Sequence, residues 1–139
     1  MGLDTFADIG EKTDKKAVLV TIKDHDGKDR QVINNALYAE AKDLCGGMLS
    51  GGGASFRGKV YDEVVEMVTE QSLYQERIEN ETVQVMAMKL KEYADALDDK
   101  KKDKEIPGLN YEITVGEVKS LATWFEVTAD NGMDVVGWW

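Results

Sequence analysis

The pattern of apolar and polar positions near the N-terminus is that of a β-hairpin. Two apolar segments, AVLVTIK and RQVIN, flank the polar turn DHDGKD, and side chains in the first segment alternate with the two-residue period of a strand. A three-residue loop ending at Gly27 pairs Val20 with Val32, and it avoids the like-charged pairs that a two-residue loop would create. We therefore predict a hairpin over residues 17–34 in this register, with Gly27 in the left-handed conformation.

Helical periodicity extends over most of the remaining chain. No glycine or proline occurs from Lys59 to Lys104, and apolar side chains recur there at three- and four-residue spacing. Thr114 and Glu117 have the spacing of a capping box, in which the two residues satisfy each other's free backbone amides. Asn80 is a candidate N-terminal cap for the helix that carries the longest apolar stripe. The predicted helices span about 35–45, 59–74, 81–103 and 115–130.

Two short apolar segments lie towards the C-terminus. Residues 109–113 are predicted to form a short strand, and residues 133–139, MDVVGWW, form either an apolar tail or a final strand. With 139 residues, the chain has the length of one domain and needs no disulfide or metal to stabilise its core. The predicted fold is therefore a single α+β domain, 1–139, mostly helical, with an N-terminal β-hairpin packed with about four helices.

The net charge of −10 restricts the classes of partner. Nucleic acids and anionic membranes bind basic surfaces, so we expect no direct nucleic-acid or membrane binding. The first ten residues lack the features of a signal peptide, and no apolar run approaches the 18 residues of a membrane span. The single cysteine, Cys45, excludes an internal disulfide and favours a reducing compartment. We expect a cytoplasmic protein, or one in the host-cell cytoplasm if a phage encodes it.

The segment 53–59, GASFRGK, matches most of the phosphate-binding motif G-x-x-x-x-G-K. The motif requires Ser or Thr at the next position to hold magnesium, but Val60 stands there. The preceding residues, CGGMLSGG, are not the buried strand that such a loop follows. We predict that the chain binds neither ATP nor GTP and that Lys59→Ala leaves the fold intact. An anion- or nucleotide-binding enzyme using this loop is the remote alternative.

Residues suited to catalysis or metal binding are few. His25 is the only histidine, and its neighbours in an extended turn point to opposite sides of the chain. Cys45 lies at the end of a predicted helix, where the helix dipole disfavours a reactive thiolate. Because these two residues lie on different predicted elements, a nucleophile–base pair is not expected. We predict no enzymatic activity, no catalytic residues, no cofactor and no metal site.

Two features are candidates for binding a protein partner. Four carboxylates lie on the flank of the second predicted helix opposite its valine stripe: Asp62, Glu63, Glu66 and Glu70. Carboxylates four residues apart on a helix are separated by about 6 Å, close to the phosphate spacing of a nucleic-acid strand, so this face suits a basic groove. At the C-terminus, Trp138 and Trp139 either pack on the core of this chain or anchor it in another chain.

These features lead to two functional hypotheses besides the remote enzymatic one. The first is a non-enzymatic acidic interaction module, an inhibitor or accessory factor that docks a basic partner such as a nucleic-acid-handling protein. Small proteins of phages and mobile elements often have this character. The second is a structural subunit that self-associates in an oligomeric assembly, such as a virion or another multi-subunit complex, through its tryptophans and N-terminus.

Overall fold

A computed structural model describes residues 2–45 and 54–139, and this part of the chain forms six strands and four α-helices. The strands are β1 (Asp4–Asp8), β2 (Leu19–Lys23), β3 (Asp29–Ile33), β4 (Ser55–Arg57), β5 (Arg77–Ile78) and β6 (Asp134–Trp138). The helices are α1 (Lys15–Val18), α2 (Gly58–Thr69), α3 (Asn80–Asp95) and α4 (Val115–Asp130). The α+β class is confirmed, although helices make up only about 42% of the structure, less than "mostly helical" implies.

The hairpin forms in the predicted register. Val20 pairs with Val32, and Gly27 has a φ of 77°, so the charge argument gave the correct pairing. However, β2 and β3 form a separate two-stranded sheet with many exposed residues, so the hairpin packs less extensively than predicted. Leu19 and Ile33 at its base contact the core, whereas most residues towards its tip are exposed.

The larger sheet was not anticipated, apart from its last strand. It is antiparallel and has the order β4-β1-β6-β5, so the C-terminal segment is an internal strand between β1 and β5. Side chains that face the helices belong to the core: Thr5, Ala7, Phe56, Ile78 and Val135 are buried. The apolar C-terminus is therefore a strand and not a tail.

Three of the predicted helices are shorter than expected. The helix predicted at 35–45 is only a 3₁₀ turn, Asn35–Tyr38, because few of the following side chains are buried and a longer helix would gain little packing. The helix predicted at 59–74 ends at Thr69, where Glu70 turns the chain with a left-handed φ of 63°. The helix predicted at 81–103 ends at Asp95, and a separate 3₁₀ turn, Asp99–Lys101, follows in the exposed charged segment.

The C-terminal helix and its cap are as predicted, whereas the strand before them is not. Helix α4 covers Val115–Asp130, and the capping box of Thr114 and Glu117 has both of its hydrogen bonds. Residues 109–113 form no strand, and only an isolated bridge joins Glu105 to Thr114. Residues 109–112 are mostly exposed, so no continuous partner strand covers them.

An aromatic cluster lies at the centre of the core. Trp124 of α4 stacks on Tyr38 at 5.4 Å between ring centroids and meets Phe56 edge-on at 4.7 Å. The Tyr38 hydroxyl shares a 2.8 Å hydrogen bond with the Thr128 hydroxyl. The Tyr61 hydroxyl donates to Glu117 Oε2 at 2.6 Å and accepts from the Cys45 amide at 2.9 Å. Two tyrosines are thus buried with their hydroxyls hydrogen-bonded.

This burial predicts a loss of stability at alkaline pH. Burial raises the pKa of Tyr38, and burial followed by the hydrogen bond to Glu117 raises the pKa of Tyr61. Below pH 10 both phenols are protonated in the folded and unfolded chains, whereas above it only the unfolded chain releases the protons. The free energy of unfolding should therefore fall by about 1.4 kcal/mol per pH unit for each tyrosine above about pH 10. Urea denaturation across this pH range measures the slope. If the double variant Tyr38→Phe/Tyr61→Phe shows the same slope, the two tyrosines are not its cause.

Candidate functional site

The segment that resembles a phosphate loop is built into the fold. Its first residue, Gly53, lies outside the described residues, and residues 55–57 form strand β4. The Arg57 amide donates to the Cys45 carbonyl at 2.9 Å, and the Lys59 amide donates to the Leu3 carbonyl at 3.3 Å. These amides, which a phosphate loop would direct at its ligand, are thus engaged within the chain. The glycine before the lysine, Gly58, packs tightly on β1: a Cβ there would lie 2.0 Å from Thr5 Oγ1.

The four carboxylates of the predicted acidic face have different environments. Asp62 accepts hydrogen bonds from the Leu73 amide at 2.6 Å and from the Ser72 hydroxyl at 3.0 Å, so it holds the chain that follows α2. Glu63 accepts hydrogen bonds from both the backbone amide and the side-chain NH₂ of Asn110.

The other two members of that face are directed at solvent. Glu66 is exposed, and Glu70 is exposed with its carboxylate 4.0 Å from Lys89 Nζ. An exposed ion pair of this length contributes little binding energy and is easily exchanged. The half of the acidic face that remains available for a partner is therefore its C-terminal end.

The two terminal tryptophans are separated by the fold. Trp138 is the last residue of β6, pairs with Asp4 and is 59% exposed. Trp139 is 48% exposed, and its ring contacts Tyr74 edge-on, with 5.7 Å between centroids. Neither residue is buried in the core. We refer to the Tyr74–Trp139 pair as the aromatic platform.

The aromatic platform is fixed between helix α2 and strand β6. Asp62 anchors the residues just before Tyr74, as described above, and the Gly137 amide donates to the Gln75 carbonyl at 3.1 Å just after it. Gly137 permits this approach because a Cβ at that position would lie 2.6 Å from the Gln75 carbonyl oxygen. The fold thus links the C-terminal end of the acidic face to Trp139 through one short segment, residues 70–76. Sequence patterns missed Tyr74, since an exposed tyrosine after a helix carries no periodic signal.

A second unpredicted feature is an ionic cluster where β1, β5, β6 and α3 meet. The Asp134 carboxylate, 10% exposed, accepts from Arg77 Nη1 at 2.7 Å and from the Asn80 amide at 2.9 Å. Arg77 also forms an ion pair with Asp8. The hydrogen bonds that Arg77 donates to Asp134 and then to Asp8 raise the pKa of its guanidinium.

This cluster corrects the predicted helix cap. Asn80 is the first residue of α3, and the preceding Glu79 makes no side-chain capping bond. Asp134 caps the helix from strand β6 instead, while the Asn80 side chain donates to the carbonyls of Ala129 and Met133. The cluster borders an open cleft of about 460 Å³ that also contains Lys12. The charges of the ionic cluster are paired with one another across β1, β5 and β6. We therefore interpret the cluster as a contact that joins these elements.

The residues considered for catalysis remain on separate elements. His25 lies exposed in the hairpin loop, and Cys45 is an exposed free cysteine beside the start of α2. Among residues 2–45 and 54–139, no group of three or more His, Cys, Asp and Glu side chains is arranged to hold a metal ion. Within the same ranges, none of the helices combines the length and apolarity of a membrane span.

Compared with protein-family models, curated proteins and solved structures, the chain matches none significantly, so its function must be inferred from the chemistry of its own surfaces.

Proposed function

We propose that this protein is a non-enzymatic interaction module that docks a basic protein partner. The contact surface consists of the aromatic platform, Tyr74 and Trp139, and the exposed carboxylates around the same segment: Glu66, Glu70 and Glu76. The observation that carries the proposal is the exposure of Trp139 and Tyr74, 48% and 40%, where Trp139 contacts Tyr74 on a segment that hydrogen bonds hold at both ends.

The aromatic platform has the properties of an anchor for binding. Tryptophan and tyrosine are enriched among the residues that contribute most to interface energies, because they bury large area with few rotatable bonds. Bonds at Asp62 and Gly137 fix the segment before a partner arrives, so little conformational entropy is lost on binding.

The charge around the platform favours a basic partner. Glu66, Glu70 and Glu76 are all exposed, and the protein as a whole carries a net charge of −10. Arginine and lysine side chains bind carboxylates and also stack on tryptophan and tyrosine faces. A segment rich in arginine or lysine is therefore the complementary surface. A basic nucleic-acid-handling protein would carry such a segment.

Site-specific crosslinking in cells that produce the protein tests the location of the interface. A photoreactive benzoylphenylalanine replaces Tyr74 in one variant and the exposed Tyr111 in a control variant, and crosslinked proteins are identified by mass spectrometry. We expect a basic protein to be captured from position 74 and not from position 111. Equal capture from both positions, or capture of acidic proteins only, would contradict the proposal.

A substitution measures the energy of the anchor once the captured partner has been purified. Trp139→Ala should weaken binding by about 2 kcal/mol, roughly 30-fold, while Glu66→Lys/Glu70→Lys should weaken it most at low salt. Titration calorimetry at two salt concentrations provides both values. Trp139→Ala should leave the thermal unfolding midpoint nearly unchanged, and unchanged affinity in that variant would remove the platform from the interface.

A further inference from the structure

The outer face of the four-stranded sheet, opposite the helices, carries a strip of three large apolar side chains among its charged residues. Strand β1 places Phe6 on this face, and strand β6 places Val136 and Trp138 there, in register with Phe6 and Asp4. Phe6 and Val136 are half-buried and lie outside the core cluster. Antiparallel sheets that face water normally carry polar side chains on the outer face, so this strip is typical of a contact surface.

The charge of this face differs from that of the whole molecule. Three aspartates and three arginines lie on it or at its margin: Asp4, Asp8, Asp134, Arg30, Arg57 and Arg77. Their formal charges cancel, although the protein carries a net charge of −10. Two copies can therefore approach through this face without the repulsion that their other surfaces would cause.

A groove opens at the same face. It has a volume of about 490 Å³ and lies between the hairpin and strand β1. Phe6 and Asp8 of the outer face form one wall, and Ile22, Arg30 and Val32 of the hairpin belong to the other. The volume lies within the range of pockets that bind small organic groups. This face thus carries a projecting indole, Trp138, and an apolar groove side by side.

We propose that two copies of this chain associate through their outer sheet faces, with Trp138 of each copy in the groove of the other. A two-fold axis that passes midway between Trp138 and the groove places Trp138 of each copy opposite the groove of the other copy. The contact is therefore closed and self-complementary. Asp4, the cross-strand partner of Trp138, then approaches Arg30 at the groove of the second copy. This surface is distinct from the aromatic platform, so dimerisation leaves Tyr74 and Trp139 available for the proposed partner.

Analytical ultracentrifugation of the purified chain, with and without substitutions, tests the dimer. We expect reversible dimerisation with a Kd of about micromolar. Loss of one tryptophan anchor weakens a contact roughly 30-fold, and each dimer contains two, so Trp138→Ser should weaken dimerisation by about 1000-fold. Trp139→Ser is the matched control and should leave the dimer unchanged. A wild-type chain that is monomeric up to about 1 mM overturns the proposal, as does a dimer that Trp139→Ser and not Trp138→Ser dissociates.

Charge exchange tests the orientation of the two copies. Asp4→Arg alone and Arg30→Asp alone each bring like charges together twice and should weaken homodimerisation. A mixture of the two variants restores an opposite pair at both contacts, so a heterodimer should form at concentrations where each variant alone is monomeric. Circular dichroism confirms that both variants are folded. Mixed variants that stay monomeric, or homodimers unaffected by either change, would overturn this arrangement. Neither result bears on binding at the aromatic platform, which the crosslink from position 74 tests separately.

Discussion

Replacing Gly58 with alanine should destabilise the protein by about 3 kcal/mol, because helix α2 begins in contact with strand β1. An added Cβ would lie 2.0 Å from Thr5 Oγ1 and 2.9 Å from the Leu3 side chain, and both residues are buried. The higher helix propensity of alanine offsets only part of this overlap. We expect the thermal unfolding midpoint to fall by about 10 °C, measured by circular dichroism.

A second substitution distinguishes this steric cause from a general intolerance of change. The Thr5 hydroxyl is buried and makes no hydrogen bond to any residue of 2–45 or 54–139, so Thr5→Ala removes the overlapping atom without breaking a bond there. Thr5→Ala should therefore restore much of the stability lost in Gly58→Ala. Gly2→Ala, whose Cβ meets no atom within 4 Å, and the exposed Lys59→Ala are the controls and should leave the midpoint unchanged. If Gly58→Ala behaves like these controls, the described contact between α2 and β1 is wrong.

Removing the Asp134 carboxylate in Asp134→Ala should lower the free energy of unfolding by about 3 kcal/mol. This change leaves the Asn80 amide unsatisfied at the start of α3 and deprives Arg77 of its more buried partner. Asn80 is 3% exposed, so water cannot replace the lost bond without a rearrangement. The Arg77 side chain is 42% exposed, so its share of the loss is the smaller one.

The isosteric change separates these two contributions. Asp134→Asn keeps an oxygen that accepts from the Asn80 amide but removes the charge opposite Arg77, so we expect a loss of only about 1 kcal/mol. Urea denaturation at low and high salt measures both variants, and only the contribution of Arg77 should diminish with salt. Equal losses in Asp134→Ala and Asp134→Asn would show that the ion pair and not the helix cap is the important contact.

The surfaces proposed for binding were only partly predictable, because they depend, like the contacts of Asp134, on residues that are far apart in the chain. Trp138 and Trp139 were recognised from residue type, since two terminal tryptophans are costly to expose. Their separation into two surfaces depends on Trp138 being paired in β6 while Trp139 contacts Tyr74, 65 positions earlier in the chain. Likewise, Asp62 belongs to the predicted acidic face, but its carboxylate already accepts hydrogen bonds from Ser72 and Leu73 and is less available to a partner.

Local patterns by themselves determined the hairpin register, helix α4 with its capping box, and the apolar faces of α2 and α3. Each of these depends on residues a few positions apart, so periodicity, turn chemistry and charge are sufficient to specify them. The tertiary structure decided which strands form the larger sheet, because β1, β4 and β5 are short and gain their stability from pairing with distant segments. It also decided where helices begin and end, since the bonds that Asp62 accepts hold the chain after α2 and the carboxylate of Asp134 caps the start of α3. Contacts between residues far apart in the chain leave no periodic signal, and they determine both the sheet and the two surfaces proposed here for binding.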